Sequence, residues 1–356
     1  MAQAPTHSLL SLPDDEIIQK LGGMSFEEIL KFSLISERCK ELVKSIQIKG
    51  DSMRVSIGRN IAVTIETSSK SIQLTYYREP NMYWGIGAYG RKKKLTEPQS
   101  VLVEVTHYRS DNEDTTSELE KKGFTMKNLL EHLQDIFNYP KIDYIRFSED
   151  SSEFDIDDIK EVFGNTLEVK IQDTGCRVFN QLILERLNHF KELRIKNSSF
   201  PNSEFPEKIL MKNFTGLHIG NAMEEFTMLS LDQLSIINSK GICIEGLQMS
   251  AKQFNKFIKL WQKGSTPRLE WLAIHYTGAR EDDDSVIMRG IEHSVVPTDT
   301  IRKFKRPGNV EPYLIEGGMD IHRMDGLKAT IQFTSLHVPF SAWHMYVWFD
   351  HCFVES

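Results

Sequence analysis

From about residue 124 the chain alternates short helical segments with very short strands, and no other feature limits its fold as strongly. Apolar residues recur at helical spacing over 124–137, 156–163, 178–190, 206–214, 223–229 and 251–262. Between them sit runs of strand character at 144–147, 167–171, 193–195, 217–219, 234–236 and 269–274. Strands of a few residues separated by helices pair in parallel, because each helix carries the chain back to the start of the next strand.

Three of these strands repeat Leu-x-Ile-x-Asn: Leu193/Ile195/Asn197, Leu217/Ile219/Asn221 and Leu234/Ile236/Asn238. A period of two sets each trio on one face, and an asparagine at a strand end can satisfy backbone groups of the next turn. The steps between strands range from 17 to 38 residues, whereas regular leucine-rich repeats run about 20–29. The expectation is an irregular leucine-rich-repeat-like α/β array, with a curved parallel sheet as a binding surface. An ordinary α/β domain with similar-looking strands is the alternative.

The preceding segment reads differently. Residues 53–57, 61–65, 72–77 and 101–108 alternate with β-branched and aromatic residues, with Gly58-Arg59-Asn60 as a turn, and predict a small antiparallel sheet. Its loop carries Gly85-Ile86-Gly87-Ala88-Tyr89-Gly90, a letter match to a dinucleotide fingerprint. No helix opens there; Arg91-Lys92-Lys93-Lys94 and Pro98 follow, so a hairpin loop is expected and not a phosphate cradle. Residues 111–165 hold 15 acidic and 6 basic residues, including Asp111–Asp114 and the Ser148–Asp158 stretch, and read as solvated loops and helix starts.

At the N-terminus three short helices fit into about 35 residues. Ser11 can cap the first, whose acidic start Asp14-Asp15-Glu16 suits the positive helix end. Ser25-x-x-Glu28 is a capping box for the second. Such a module cannot bury enough surface by itself, so its apolar faces need a partner inside or outside the chain.

The function classes then narrow. With 43 Lys+Arg against 50 Asp+Glu the chain is no globally basic nucleic-acid binder. No apolar run approaches the roughly 18–20 residues that cross a bilayer, and the first residues lack a secretory pattern. Cys39, Cys176, Cys243 and Cys352 are scattered without a C-x-x-C pair, which predicts reduced thiols in the cytoplasm or nucleus. No zinc-binding histidine motif, nucleophile elbow or Walker loop occurs, and no cysteine has a recognisable histidine partner. His337, His344 and His351 recur every seven residues on an expected strand region. No enzyme activity, cofactor or metal is expected.

Leu12-Pro13, then Met24, then Ser25-Phe26-Glu27-Glu28-Ile29-Leu30-Lys31-Phe32-Ser33-Leu34-Ile35-Ser36 resembles an F-box. The pattern departs from that family at Gly22-Gly23, where the first helix often continues, and at Ser36, where cysteine is frequent. Farther on, Phe257-Ile258-Lys259-Leu260-Trp261-Gln262-Lys263-Gly264 precedes Pro267-Arg268-Leu269-Glu270-Trp271-Leu272. The tail carries Arg323-x-Asp325-Gly326 with Ala329-Thr330-Ile331, where Asp-Gly signals a hairpin turn with 329–333 and 343–349 as its sheet strands. In order and spacing, residues 8–350 resemble the nematode F-box proteins that carry an F-box-associated domain.

The resemblance implies three segments: an F-box at 8–50, an antiparallel β region at 51–122, and an F-box-associated domain at 123–356. It implies a non-catalytic substrate receptor of an SCF-type ubiquitin ligase. Leu12, Pro13, Ile17, Met24, Ile29, Leu30, Ser33, Leu34 and Ile35 would meet a Skp-type adaptor, and through it a cullin-RING ligase. The later domain would hold an unknown protein target. A free-standing interaction scaffold with no ubiquitin role is the alternative.

Overall fold

Helix starts in the N-terminal segment are decided by capping. Pro13, not Ser11, occupies the N-cap of α1 (Asp14–Leu21). Ser25 and Glu28 exchange hydrogen bonds at 3.3 and 2.9 Å to open α2 (Phe26–Ser33), and the Ser36 hydroxyl accepts from Cys39 N–H to open α3 (Glu37–Ser45). The computed structural model describes residues 9–76, 94–95, 101–107, 115–119, 125–200, 205–220, 226–277, 283–309, 311–335 and 340–354. The chain forms two units, one of residues 1–169 with 174–190, the other of 170–173 with 191–356.

In the first unit β1 (Ser52–Ile57), β2 (Ile61–Glu66), β3 (Lys70–Tyr76), β4 (Val101–His107) and β5 (Thr115–Leu119) pair antiparallel in succession. Helix α4 (Met126–Ile136) follows, and β6 (Ile142–Phe147) returns parallel to β1. The unit ends with α5 (Ile156–Phe163), β7 (Thr166–Ile171, to Val169 within this unit) and α6 (Arg177–Arg186). Met53, Val55 and Ile57 alternate inward with Ile61, Val63 and Ile65, as a one-sided sheet requires.

The apolar faces of the N-terminal helices are covered by α4 of the same chain. Phe26 meets Phe137 with ring centroids 5.4 Å apart. Ser33 Oγ and His132 Nε2 form a buried hydrogen bond of 2.8 Å, and Lys40 pairs with Asp135 at 2.5 Å. Residues 8–50, 51–122 and the start of 123–356 therefore share one unit.

The second unit holds β8 (Glu192–Ile195), α7 (Glu207–Leu210), β9 (Gly216–Ile219), α8 (Leu231–Ile236), β10 (Gly241–Glu245), α9 (Ala251–Gln262) and β11 (Trp271–Thr277). Strands β8 to β11 run parallel in chain order. After α10 (Asp283–Ile287) come β12 (Ser294–Phe304), β13 (Tyr313–His322), β14 (Lys328–Ser335) and β15 (Phe340–Val347), an antiparallel meander joined to β11 through β15.

Four sequence expectations change. Residues 234–236 are helix, not strand, because Ser230 and Gln233 make a reciprocal capping box that starts α8; the strand comes next, at β10. The leucine-rich-repeat-like reading thereby loses its third strand triplet. Of the helix expected at 223–229, residues 226–229 are not helical and Thr227 instead bridges to Leu247. Asp325-Gly326 turns β13 into β14, not residues 329–333 into 343–349. The glycine-rich loop at 85–90, Arg91–Lys93, Asp111–Asp114, Asn221 and His337 lie outside the described residues. Lys94 is described, and it pairs with Asp155 and Asp158 at 3.0 and 3.2 Å, so the acidic stretch is a helix start that takes up a cation.

Helix α9 buries Phe254, Phe257, Ile258 and Trp261 in the second unit. Phe254 and Phe257 lie 5.6 and 6.3 Å from the ring of buried Trp343 on β15. Phe257→Ala should lower unfolding free energy by about 3–5 kcal/mol, read as a reduced midpoint in urea. Gly220, at φ +93°, lies where a Cβ would collide with the Thr227 hydroxyl and the Glu245 carbonyl. Gly220→Ala should therefore lower the same midpoint, although it adds only a methyl group.

Candidate functional site

Cross-strand register gives the second unit's sheet two unlike faces. One row reads Leu193, Leu217, Ile242, Leu272, Met345 and Ile331, all buried. The neighbouring row on the opposite face reads Arg194, His218, Cys243, Ala273, His344 and Gln332. One position farther along that polar face, Glu245 faces His275. Four short strands thus present imidazole, thiol, carboxylate and guanidinium groups side by side.

The groups are ordered by pairing. His218 Nε2 is 2.7 Å from Glu245 Oε1. The rings of His275 and His344 lie 6.1 Å apart, and His344 stacks on Tyr346 at 5.9 Å. The Arg306 guanidinium sits 3.5 Å over the Trp271 ring and 5.2 Å from that of Tyr313. Beside it Phe304, Ile315, Tyr346, Trp348 and Cys352 form a small second core. Asp320 anchors that side, accepting from Arg302 at 3.0 Å and from Thr330 at 2.6 Å, while Trp348 donates to Thr330 at 2.8 Å.

The electrostatics follow from burial. Desolvation pushes the Cys243 thiol up to about 12, with Glu245 adding to the shift. Cys352, next to Glu270, is raised to about 11 for the same reasons. Both stay protonated at neutral pH, the reverse of what a nucleophilic cysteine needs. Cys39, Cys176, Cys243 and Cys352 are all free thiols, and Cys176 is only half-buried.

The structure does give two cysteines the partners that the sequence did not disclose. Cys243 stands with His218 and Glu245, and Cys352 with Glu270 and His351. His218 reaches Cys243 from the adjacent strand and Glu270 reaches Cys352 from far along the chain, so spacing along the chain does not reveal either cluster. The available signal was the alternation in Gly241-Ile242-Cys243-Ile244-Glu245, once that segment is recognised as a strand.

The nine residues matched to the F-box pattern all lie in the first unit but fall into two sets. Ile17, Ile29, Leu30, Ser33 and Leu34 are buried in the chain's own core. Leu12 and Met24 are half-buried, Pro13 is exposed, and Ile35 is 46% exposed. Only the latter four offer surface to a partner in this state.

The polar face also predicts a pH response. Burial, with His275 and Arg306 as lesser causes, lowers His344 from 6.5 to about 4, and His275 is lowered by burial as well. A depressed histidine favours the neutral folded form, so its contribution is complete above pH 6.5 and is lost as pH falls through about 4. A shift of this size corresponds to about 3 kcal/mol. Chemical unfolding at about pH 7.5 and about pH 4.5 should show a smaller loss for His344→Gln than for the unaltered protein.

Among the described residues no helix is long and apolar enough to cross a membrane. No curated protein and no solved structure matches the chain. Residues 205–274 match the protein-family model described as F-box associated. The match spans α7, β9, α8, β10, α9 and the start of β11, so it includes His218, Cys243 and Glu245 of the polar face. The chain therefore carries an F-box-associated region at 205–274, which includes β9 and β10 of the polar face.

Proposed function

We propose that the protein is a non-catalytic substrate receptor of an SCF-type ubiquitin ligase, acting in the cytoplasm or nucleus. The observation that carries this reading is the F-box-associated match at 205–274. The N-terminal helices dock on a Skp-type adaptor, and through it on a cullin-RING ligase. The polar face of β8 to β11 and β15 holds the target protein. Its mixed charge and aromatic groups suit recognition, while its protonated thiols offer no nucleophile.

The burial of five matched residues divides the labour in the docking helices. Leu12, Pro13, Met24 and Ile35 touch the adaptor; Ile17, Ile29, Leu30, Ser33 and Leu34 hold the helices in place behind them. The second reading, a free-standing interaction scaffold with no ubiquitin role, draws on the same packing: helices already covered by α4 can fold without an adaptor.

Co-purification from cells decides between the two. The unaltered protein should bring down a Skp-type adaptor and a cullin. Leu12→Ala with Pro13→Ala and Ile35→Ser should reduce recovery at least about tenfold, as loss of central apolar contacts does, with the circular dichroism spectrum unchanged. No adaptor with the unaltered protein, or undiminished recovery with the triple variant, would contradict the receptor reading.

A further inference from the structure

The His218–Cys243–Glu245 cluster lies on the polar face, and beyond the receptor reading it has the chemistry of a metal site. A half-buried imidazole, a buried thiol and a half-buried carboxylate converge on one spot of the polar face. Their ligand atoms lie within 4.8 Å of one another. Ligands at about 2.0–2.3 Å from a tetrahedral zinc stand about 3.3–3.8 Å apart, so closure asks for side-chain movement of about 1 Å. His218 and Cys243 are register partners on adjacent strands, and Glu245 is two residues along from Cys243, so regular backbone holds all three donors.

We propose that His218, Cys243 and Glu245 form a zinc site that clasps β9 to β10. Sulfur, nitrogen and one carboxylate oxygen favour zinc over the hard ions magnesium and calcium, which take all-oxygen shells. Three protein ligands leave a fourth position for water, and His275 borders it across from Glu245. The partial exposure of His218 and Glu245 leaves a route for the ion from solvent.

Binding replaces the direct His218–Glu245 contact with bonds to the ion. The ion parts the His218–Glu245 pair, now at 2.7 Å, and each becomes a ligand. Cys243 gives up its thiol proton to solvent, and a zinc–sulfur bond forms without change in oxidation state. Arg194 and Arg306 act on Cys243 in the direction of the thiolate. They also oppose a cation, but thiolate and carboxylate together cancel the charge of the ion, so the filled site is formally neutral. The Glu270–His351–Cys352 cluster is the weaker candidate, because Lys240 Nζ already occupies Glu270 at 2.7 Å.

The inference is independent of adaptor binding, and its test uses the full chain without any partner. The chelator-stripped protein is dialysed against zinc, passed through a desalting column and assayed for metal. A parallel sample is titrated with cobalt(II) and read for the sulfur-to-cobalt charge-transfer absorption. The expected result is about one zinc per chain with a tetrahedral cobalt spectrum, both lost in Cys243→Ser and in His218→Gln and both kept in Cys352→Ser. Because His218 is not fully buried, His218→Gln keeps the test valid if Cys243→Ser fails to fold. No retained zinc, a cobalt spectrum lacking the sulfur band, or retention unchanged in His218→Gln would overturn the proposal.

Discussion

The packing of α2 and α3 against α4 and its cap residue Phe137 gives the N-terminal helices their core. Phe26 meets Phe137, Ser33 is hydrogen-bonded to His132, and Lys40 reaches Asp135 across the same seam. Three short helices cannot make a core alone, and here a fourth, contributed from beyond the antiparallel sheet, completes it. The backbone ties the seam to the strands as well, since Gly50 N–H donates to the Phe137 carbonyl at 3.0 Å just before β1. What the N-terminal helices can offer a partner is therefore what this packing leaves outside: Leu12, Pro13, Met24 and Ile35.

A different constraint organises the second unit. A strand has two faces, and β8 to β11 spend one on aliphatic residues that share a core with the Phe254, Phe257 and Trp261 side of α9. The other face is thereby free to carry His218, Cys243, Glu245, His275 and His344. Alternation with period two makes the separation strict: a slip of one residue would put the imidazoles into the core. The F-box-associated match covers β9, β10 and the start of β11, so it includes His218, Cys243 and Glu245 but neither β8 nor His275 and His344.

Much of the fold could be read from pattern. Helix 156–163 and helix 251–262 stand as expected, since each combines a cap with apolar residues at helical spacing. The hairpin of β1 and β2 follows from its alternation and turn. Strands β12 and β13 were not legible, for a physical reason: β12 is exposed along most of its length and contains Pro297, and Gly317-Gly318 interrupts β13, so no sustained apolar alternation marks them. Residues 234–236 misled because Leu-x-Ile satisfies the strand period, while the Ser230–Gln233 capping box satisfied backbone donors and so favoured the helix. The polar cluster was hidden because it exists only across strands. Which residues of the F-box-like pattern face outward depends on α4, about a hundred residues away, and so could not be read from position.

The central claim is that the N-terminal helices are folded into the chain's own core before any partner arrives. Amide hydrogen exchange on the isolated protein tests this most directly. The account predicts that α2 and α3 exchange as slowly as α4, since the three share one core. Rapid exchange in α2 and α3 while β1 to β3 stay protected, with slowing only when an adaptor is added, would contradict it.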